Sequence, residues 1–128
     1  MSIDKYFEDI KILTPADIRG KVNMNDAVKA MEAAFSSFSN GSCYVPQRHI
    51  SSIQSLNLFL KPAFSQELGR IAVKIITQKT DGSFGGIPTI LGVVLLIDIK
   101  SGAVLAMMDG SYITALRTGA ASGIATKL

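Results

Sequence analysis

Residues 107–128 read MMDGSYITALRTGAASGIATKL, and this segment decides how the rest of the chain is interpreted. From Tyr112 onward, apolar and small residues recur every three or four positions, which predicts a helix with one buried face. Arg117 lies at the centre of this face. The face is formed by Ile113, Ala120 and Ile124. A buried guanidinium without a partner is strongly destabilising, so this position is expected to meet an anion, either a protein carboxylate or a bound ligand.

The second half of this predicted helix has almost no side-chain bulk. The small residues are Gly119, Ala120, Ala121, Ser122, Gly123 and Ala125. Small residues allow another backbone or a ligand to approach closely. The helical pattern then reaches Leu128 without a glycine or proline stop signal. We therefore expect residues 1–128 to be a fragment of a longer protein.

Composition limits the class of protein. A chain of 128 residues corresponds to one domain. Hydrophobic residues make up 48% of it and charged residues 18%, below the usual quarter, which predicts an apolar surface that meets a partner. The basic residues behind the net charge of +3 are scattered singly, which argues against nucleic-acid binding.

Targeting signals are also missing from the sequence. No apolar run reaches the ~18 residues of a membrane span. The N-terminus carries acids where a secretory signal would carry bases, and Cys43 is the sole cysteine, so no internal disulfide can form. We expect a protein of the cytoplasm that does not bind membranes.

The N-terminal third predicts one strand and two helices. Residues 7–13 alternate imperfectly between apolar and polar side chains, as in a short strand. Thr14 followed by Pro15 is typical of a helix start, and Gly20 ends that turn. Asn23 begins an amphipathic helix that extends to about Phe38.

Beyond residue 41 the spacing of apolar residues changes from every three or four positions, as in a helix, to every second position, as in a strand. The predicted strands are residues 44–50, 53–61, 70–78, 89–99 and 103–108. Residues 62–69 and the glycine-rich residues 79–86 are predicted loops. The sequence therefore predicts an α+β fold: an N-terminal strand and helices, then a mostly antiparallel β-meander, then a C-terminal helix.

Three cations occur in otherwise apolar or extended segments: Arg48, Lys74 and Arg117. Two arginines and a lysine that converge would suit one small carboxylate, because arginine binds it through a planar fork and lysine acts as a point charge. In the alternative interpretation each cation pairs with a nearby acid or extends into water. Spacing alone leaves both open.

Other motifs carry weaker signals. The glycine-rich loop at residues 82–86 lacks the lysine and hydroxyl of a P-loop, so it is interpreted as a strand connection. His49 is the sole histidine, and with a single cysteine no structural zinc site is expected. No metal is predicted.

The segment DGSYITALRTGAASGIATKL at residues 109–128 resembles the ornithine cyclodeaminase/mu-crystallin family, which includes archaeal-type alanine dehydrogenases. Four shorter motifs support the resemblance in the same order. They are PQRH at 46–49, LFLKPA at 58–63, AVKIIT at 72–77 and GIPT at 86–89. The resemblance extends over essentially the whole chain.

The resemblance implies roles for particular residues. Arg48, Lys74 and Arg117 would bind the substrate carboxylate, and Thr89 and Thr118, together with Arg117, would face NAD or NADP. Residues 1–128 would be the substrate-binding and dimerisation domain, forming a homodimer through the sheet. The last helix would bridge to a Rossmann domain, outside these residues, that carries the dinucleotide loop and the catalytic aspartate.

Family chemistry implies an enzyme in the full-length protein. It would act on a small amino or imino acid by oxidative deamination, cyclodeamination or imine reduction with NAD(P). We expect these 128 residues alone to be inactive and not to bind the cofactor tightly. The alternative is a non-catalytic module that binds a small carboxylate or that serves dimerisation.

One departure from the family concerns the substrate. Ornithine-using members have an acid three residues before the proline of the second meander strand, where this chain has Phe59. Lys61 replaces a common methionine beside that proline. Both differences argue against ornithine and favour a short or apolar amino acid or imino acid.

Overall fold

The computed structural model describes the backbone of residues 1–127 and the side chains of residues 1–126. The sequence predicts that the helical pattern reaches Leu128 without a stop signal. Leu128 lies outside the described residues. Four helices and seven strands follow one another. They are α1 Ile3–Asp9, β1 Lys11–Leu13, α2 Pro15–Arg19, α3 Met24–Ser39, β2 Cys43–Tyr44, β3 His49–Ile53, β4 Leu56–Ser65, β5 Arg70–Lys79, β6 Ile90–Asp98, β7 Val104–Asp109 and α4 Gly110–Lys127.

Reciprocal hydrogen bonds begin α2 and α3, as the sequence predicts. The backbone N–H of Asp17 donates to the Thr14 hydroxyl at 3.2 Å, and the Asp17 carboxylate accepts from the Thr14 N–H at 2.9 Å. Asn23 and Asp26 form the same capping box, with distances of 2.8 and 3.1 Å. An N-cap of this kind stabilises a helix by about 1 kcal/mol. Both predicted starts are therefore confirmed.

The prediction of a strand over residues 7–13 is wrong for the first part of that range. That part is helical, because Ser2 caps α1 and Lys5 pairs with Asp9 at 3.0 Å one turn later. Ile10 is extended, and the strand is confined to the three residues of β1. The Tyr6 hydroxyl accepts a hydrogen bond from the Val104 N–H at 2.8 Å, which connects α1 to the start of β7.

One sheet contains all seven strands, in the order β1-β7-β6-β5-β4-β2, with β3 also paired to β4. The pairs are antiparallel except β1 with β7, which is parallel. The longest pairing joins β4 to β5, from Leu56 opposite Lys79 to Ser65 opposite Arg70. The predicted antiparallel meander is confirmed, and a parallel edge strand is added to it.

Pro62 lies within β4, although residues 62–69 are predicted as a loop. It pairs with Val73 of β5. On the other side of β4, β3 pairs only as far as Leu60 and β2 only from Phe64. The missing N–H of Pro62 therefore falls in a gap between two partner strands, where proline removes no ladder hydrogen bond. The strand consequently continues to Ser65.

The helix α4 packs closely on one face of the sheet at its first residue. A Cβ added to Gly110 would lie 2.8 Å from the carbonyl carbon of Gly92 on β6, which is closer than a side chain tolerates. The helix starts there, two residues before the predicted Tyr112. Glycine at both positions therefore lets α4 rest against β6.

The small residues of α4 receive another helix. A Cβ on Gly119 would lie 3.2 Å from Met24 Cε of α3, and one on Gly123 would lie 3.5 Å from Val28 Cγ2. Ala120 between them is 0% exposed. The close approach predicted from these small residues is thus made by α3.

The other face of the sheet is apolar and half-exposed. We call it the open face. Its side chains, brought together by cross-strand pairing on the face opposite α4, are Leu58, Leu60, Val73, Ile75, Val93 and Leu95.

Residues 1–127 include no helix that is both long and apolar enough to cross a membrane.

Candidate functional site

Lys74 lies in the middle of β5 on the face that carries α4. Its neighbours on that face are Ala72 and Ile76, so the ammonium group is half-buried among apolar side chains, as the strand pattern predicts. The Lys74 Nζ donates a hydrogen bond to Thr114 Oγ1 at 3.2 Å. Burial lowers the pKa of Lys74 below its ordinary value, and the positive charges of Lys61 and Arg117 lower it further.

Arg117 is exposed, which corrects the prediction that its guanidinium is buried. Ala120 on the same helical stripe is fully buried, so the stripe itself does face inward. A long arginine side chain can follow an apolar stripe with its methylene groups and keep its charged end in water. Arg117 still acts on Lys74 electrostatically, one helical turn after Thr114.

Lys61 stands directly opposite Lys74 in the pairing of β4 with β5. Side chains of directly paired residues project from the same face of a sheet. Lys61 is half-buried. Its charge lowers the pKa of Lys74 more than the charge of Arg117 does. Lys61 therefore belongs to the same cationic group.

Arg48 is exposed and immediately precedes β3. The pairing of β3 with β4 begins with His49 opposite Leu60. Arg48 lies one residue before this pairing begins, and its charge is not among those that lower the pKa of Lys74. We define the cation cluster as Lys61, Lys74 and Arg117, and the role of Arg48 stays a prediction.

No member of the cation cluster forms an ion pair with a carboxylate in residues 1–126. The ion pairs in that range join Lys5 to Asp9, Arg70 to Asp98 and Lys79 to Asp81. Pairing with a nearby acid, one of the two alternatives for the predicted cations, is thus not found here. Two half-buried ammonium groups with an arginine acting on one of them attract an anion, and arginine forks and ammonium groups suit a carboxylate.

A cavity of about 260 Å³ lies at the start of α4. Its lining residues are Ile76, Ile90, Gly92, Gly110, Ser111 and Thr114. Thr114 lines this cavity and also accepts the hydrogen bond from Lys74. Thr114 therefore links the cavity to Lys74, although no member of the cation cluster lines the cavity.

The two predicted cofactor threonines lie at the margins of this site. Thr89 is exposed, directly precedes the cavity residue Ile90, and accepts a hydrogen bond from the Lys79 N–H at 2.8 Å through its carbonyl. Thr118 is also exposed, and its hydroxyl donates to the Thr114 carbonyl at 2.8 Å. The side-chain hydroxyl of Thr89 is free of hydrogen bonds to the described residues, and that of Thr118 retains its capacity to accept.

Sequence reasoning missed Thr114 and gave Lys61 no binding role. Both leave a signal. Thr114 precedes Arg117 by three residues and so shares its helix face. Lys61 has the strand parity that places it on the face of Lys74, but only the register of β4 against β5 puts the two side by side. Within the described residues, no group of three or more His, Cys, Asp or Glu is arranged to hold a metal ion.

The chain is similar in sequence to proteins of a known family. Residues 8–128 match the sequence profile of the Ornithine cyclodeaminase/mu-crystallin family. A Delta(1)-pyrroline-2-carboxylate reductase from Bacillus cereus is 34% identical over 119 residues, which cover 91% of this chain and 36% of that protein.

Two solved structures have similar folds. The Thermococcus litoralis Delta(1)-pyrroline-2-carboxylate reductase, in complex with NADH and L-proline, is 35% identical with a TM-score of 0.83, over 92% of this chain and 37% of that one. An archaeal alanine dehydrogenase dimer with bound NAD is 31% identical, also with a TM-score of 0.83, over 92% of this chain and 36% of that one. The chain thus spans little more than a third of the length of these relatives.

Proposed function

The chain belongs to the ornithine cyclodeaminase/mu-crystallin family, and from that premise we propose that it is the substrate-binding and dimerisation part of an NAD(P)-dependent enzyme. The substrate is a small amino or imino acid. The reaction is oxidative deamination, cyclodeamination or imine reduction. The remainder of the enzyme, including the catalytic aspartate and the Rossmann domain, lies outside these residues.

The observation that carries this proposal is the half-buried Lys74, on which the charge of Arg117 acts and which has no carboxylate partner among residues 1–126. In the proposed complex the substrate carboxylate takes that place. Arg48 and Arg117 offer planar forks, while Lys74 offers a point charge oriented by Thr114. Held in this way, the carboxylate would fix the α-carbon next to the cavity at the start of α4.

The cavity suits one part of a nicotinamide cofactor. Its walls combine apolar side chains with the hydroxyls of Ser111 and Thr114, a mixture that fits a flat ring with a polar amide. We assign Thr89, Thr118 and Arg117 to the cofactor side. When bound, NAD(P) supplies or accepts the hydride at the α-carbon of the substrate. The chain's own residues bind and orient the substrate.

Phe59 supports a short substrate. It pairs with Ile76, a cavity residue, and both lie on the face of Lys74. The distal amine of ornithine would lose water there without gaining an acid as its partner. A short amino or imino acid avoids that cost.

The open face supports the proposed homodimer. Half-exposed leucine, isoleucine and valine side chains cover adjacent strands there, and a large apolar patch on a folded protein usually meets a partner. A relative of similar fold is an alanine dehydrogenase dimer. A second copy of this chain, seated on the open face, would bury the apolar surface that composition predicts.

Single alanine substitutions in the full-length protein test the proposal. We expect Arg48→Ala, Lys74→Ala and Arg117→Ala each to reduce kcat/KM for an amino or imino acid by about 100-fold or more, since each removes a charged contact to the carboxylate. Lys100→Ala, in an exposed turn, is the matched control. Activity that survives all three substitutions undiminished would refute the proposal.

A non-catalytic module that binds small carboxylates is the second candidate. It is favoured by the fact that every member of the cation cluster belongs to this chain. Calorimetry on the full-length protein distinguishes the two. Carboxylate binding without NAD(P) binding or turnover supports the module, whereas binding of both together with turnover supports the enzyme.

A further inference from the structure

Lys61 and Lys74 form a like-charge pair directly opposite each other on β4 and β5. Like charges at such positions destabilise a sheet. The neighbouring positions on the same face are uncharged. They are Phe59 and Ala63 on β4, and Ala72 and Ile76 on β5. An apolar residue in place of Lys61 would therefore fit this surface better, so the lysine calls for an explanation in terms of a ligand.

The charge of the cation cluster exceeds what one carboxylate neutralises. Lys61, Lys74 and Arg117 carry three positive charges, and none of them has a carboxylate partner in residues 1–126. A monocarboxylic amino acid supplies one negative charge and usually carries a positive amine. A second negative group on the substrate would compensate the charge of Lys61.

We propose that Lys61 binds a second carboxylate of the substrate, so that the enzyme acts on a short dicarboxylic amino or imino acid. This inference rests on the proposed function and narrows its substrate. Lys61 is a binding and specificity-determining residue, while Arg48, Lys74 and Arg117 hold the α-carboxylate.

The spacing of the strands fits such a ligand. Side chains directly opposite on adjacent strands have Cβ atoms about 5 Å apart. Two flexible lysines that start this close together can reach the two carboxylates of a four- or five-carbon chain. One ammonium group then faces each carboxylate, and the repulsion between Lys61 and Lys74 is offset at the same time.

The same lysine disfavours competing substrates. A diamino acid would bring a distal ammonium group towards Lys61, and like charges repel. An apolar amino acid would leave the Lys61 charge without an anion in a half-buried place. Specificity for a dicarboxylate thus combines one attractive contact with two unfavourable alternatives.

Steady-state kinetics on the full-length protein tests the proposal. The reductive reaction is run with NAD(P)H, ammonia and one 2-oxo acid: oxaloacetate, 2-oxoglutarate or pyruvate. We expect the wild type to prefer a dicarboxylic 2-oxo acid over pyruvate. In Lys61→Met the kcat/KM for the dicarboxylate is expected to fall by about 100-fold, chiefly through KM, while that for pyruvate is expected to rise, because the unpaired charge is removed. Lys61→Arg should retain the dicarboxylate preference.

The controls separate this proposal from its alternatives. Thermal unfolding of Lys61→Met should show no loss of stability, since the substitution removes a like-charge pair. Equal losses with both 2-oxo acids, or a changed KM for NADPH alone, would overturn the role of Lys61 as a substrate ligand. Pyruvate turnover that depends on Lys74 but shows no dicarboxylate preference would overturn this inference and leave the proposed function intact. Absence of any turnover in the wild type would overturn both.

Discussion

The Lys74 ammonium group donates a hydrogen bond to the Thr114 hydroxyl at 3.2 Å, and this bond joins the centre of β5 to the first turns of α4. The two residues are forty positions apart in the chain. The bond orients a half-buried cation and joins it to Thr114, which lines the cavity at the start of α4, while Arg117 one turn later lowers the pKa of the same cation.

Thr114→Val removes the oxygen that orients Lys74 but keeps the shape of the side chain. We expect KM for the substrate of the full-length enzyme to rise by about 10-fold, because a misdirected ammonium group binds the carboxylate less well. Thr126→Val is the matched control, since Thr126 also lies on α4 and donates its hydroxyl to the Ser122 carbonyl. An unchanged KM in Thr114→Val would show that Lys74 needs no orientation from the helix.

The affinity for a carboxylate should fall as pH rises through the folded-state pKa of Lys74. That pKa is lowered from 10.5, first by burial and then by Lys61 and Arg117. Above it the amine is neutral and attracts the carboxylate less. Calorimetric titration with a carboxylate from pH 7 upward measures this midpoint. Lys74→Arg should bind without the same loss in that range, because a guanidinium stays charged.

The stability of the free protein should respond to this titration in the opposite direction. Because the folded-state pKa lies below 10.5, the unfolded chain binds more protons between the two values, and stability rises with pH in that window. Lys61→Met should move the folded-state pKa of Lys74 upward and narrow the window. A pKa that does not move would show that Lys61 is too well screened by water to act on Lys74.

Gly110→Ala should destabilise the junction of α4 with β6. The added Cβ would lie 2.8 Å from the Gly92 carbonyl carbon, and backbone cannot move aside as the end of a flexible side chain can. A cost of about 1–3 kcal/mol is expected, visible as a lower thermal unfolding midpoint. Gly123→Ala in the same helix is the control. It meets Val28 Cγ2 at 3.5 Å, an ordinary contact, and should be neutral or stabilising because alanine favours helix.

Ile75→Lys tests the open face as a dimer interface. Ile75 lies between Leu60 and Val93 on adjacent strands, so a charge there would be desolvated by a second copy. We expect sedimentation to show a monomer at micromolar concentration with the circular dichroism of the wild type. Ile3→Lys, on the exposed side of α1, should leave the oligomeric state unchanged. A dimer that survives Ile75→Lys would place the interface elsewhere.

Helix starts and strand alternation could be predicted from the sequence because the interactions behind them are local. The capping box of Thr14 with Asp17 closes within three residues, and so does that of Asn23 with Asp26. Strand parity likewise indicated that Lys74 shares a face with Ile76. The strand predicted at residues 7–13 failed because the cap at Ser2 and the pairing of β1 with β7 outweigh a weak alternation.

The site could be predicted only in part. Their apolar or extended surroundings identified Arg48, Lys74 and Arg117 as candidates, the family resemblance implied that they bind the substrate carboxylate, and those binding roles stay predictions. The exposure of Arg117 could not be read from the helical wheel, because a wheel gives the direction of Cβ and not the path of a long side chain. The hydrogen bond of Thr114 with Lys74 could not be predicted, because it depends on how α4 packs against β5.

Local chemistry in the sequence thus determined the element types, the capping boxes and the presence of isolated cations in apolar segments. The tertiary structure alone decided which of those cations are neighbours. The register of β4 against β5 sets Lys61 opposite Lys74, and the contact of Gly110 with Gly92 brings α4 within reach of both. Register and packing depend on contacts between residues far apart in the chain, and a shift of one residue in a strand would turn Lys61 to the opposite face of the sheet.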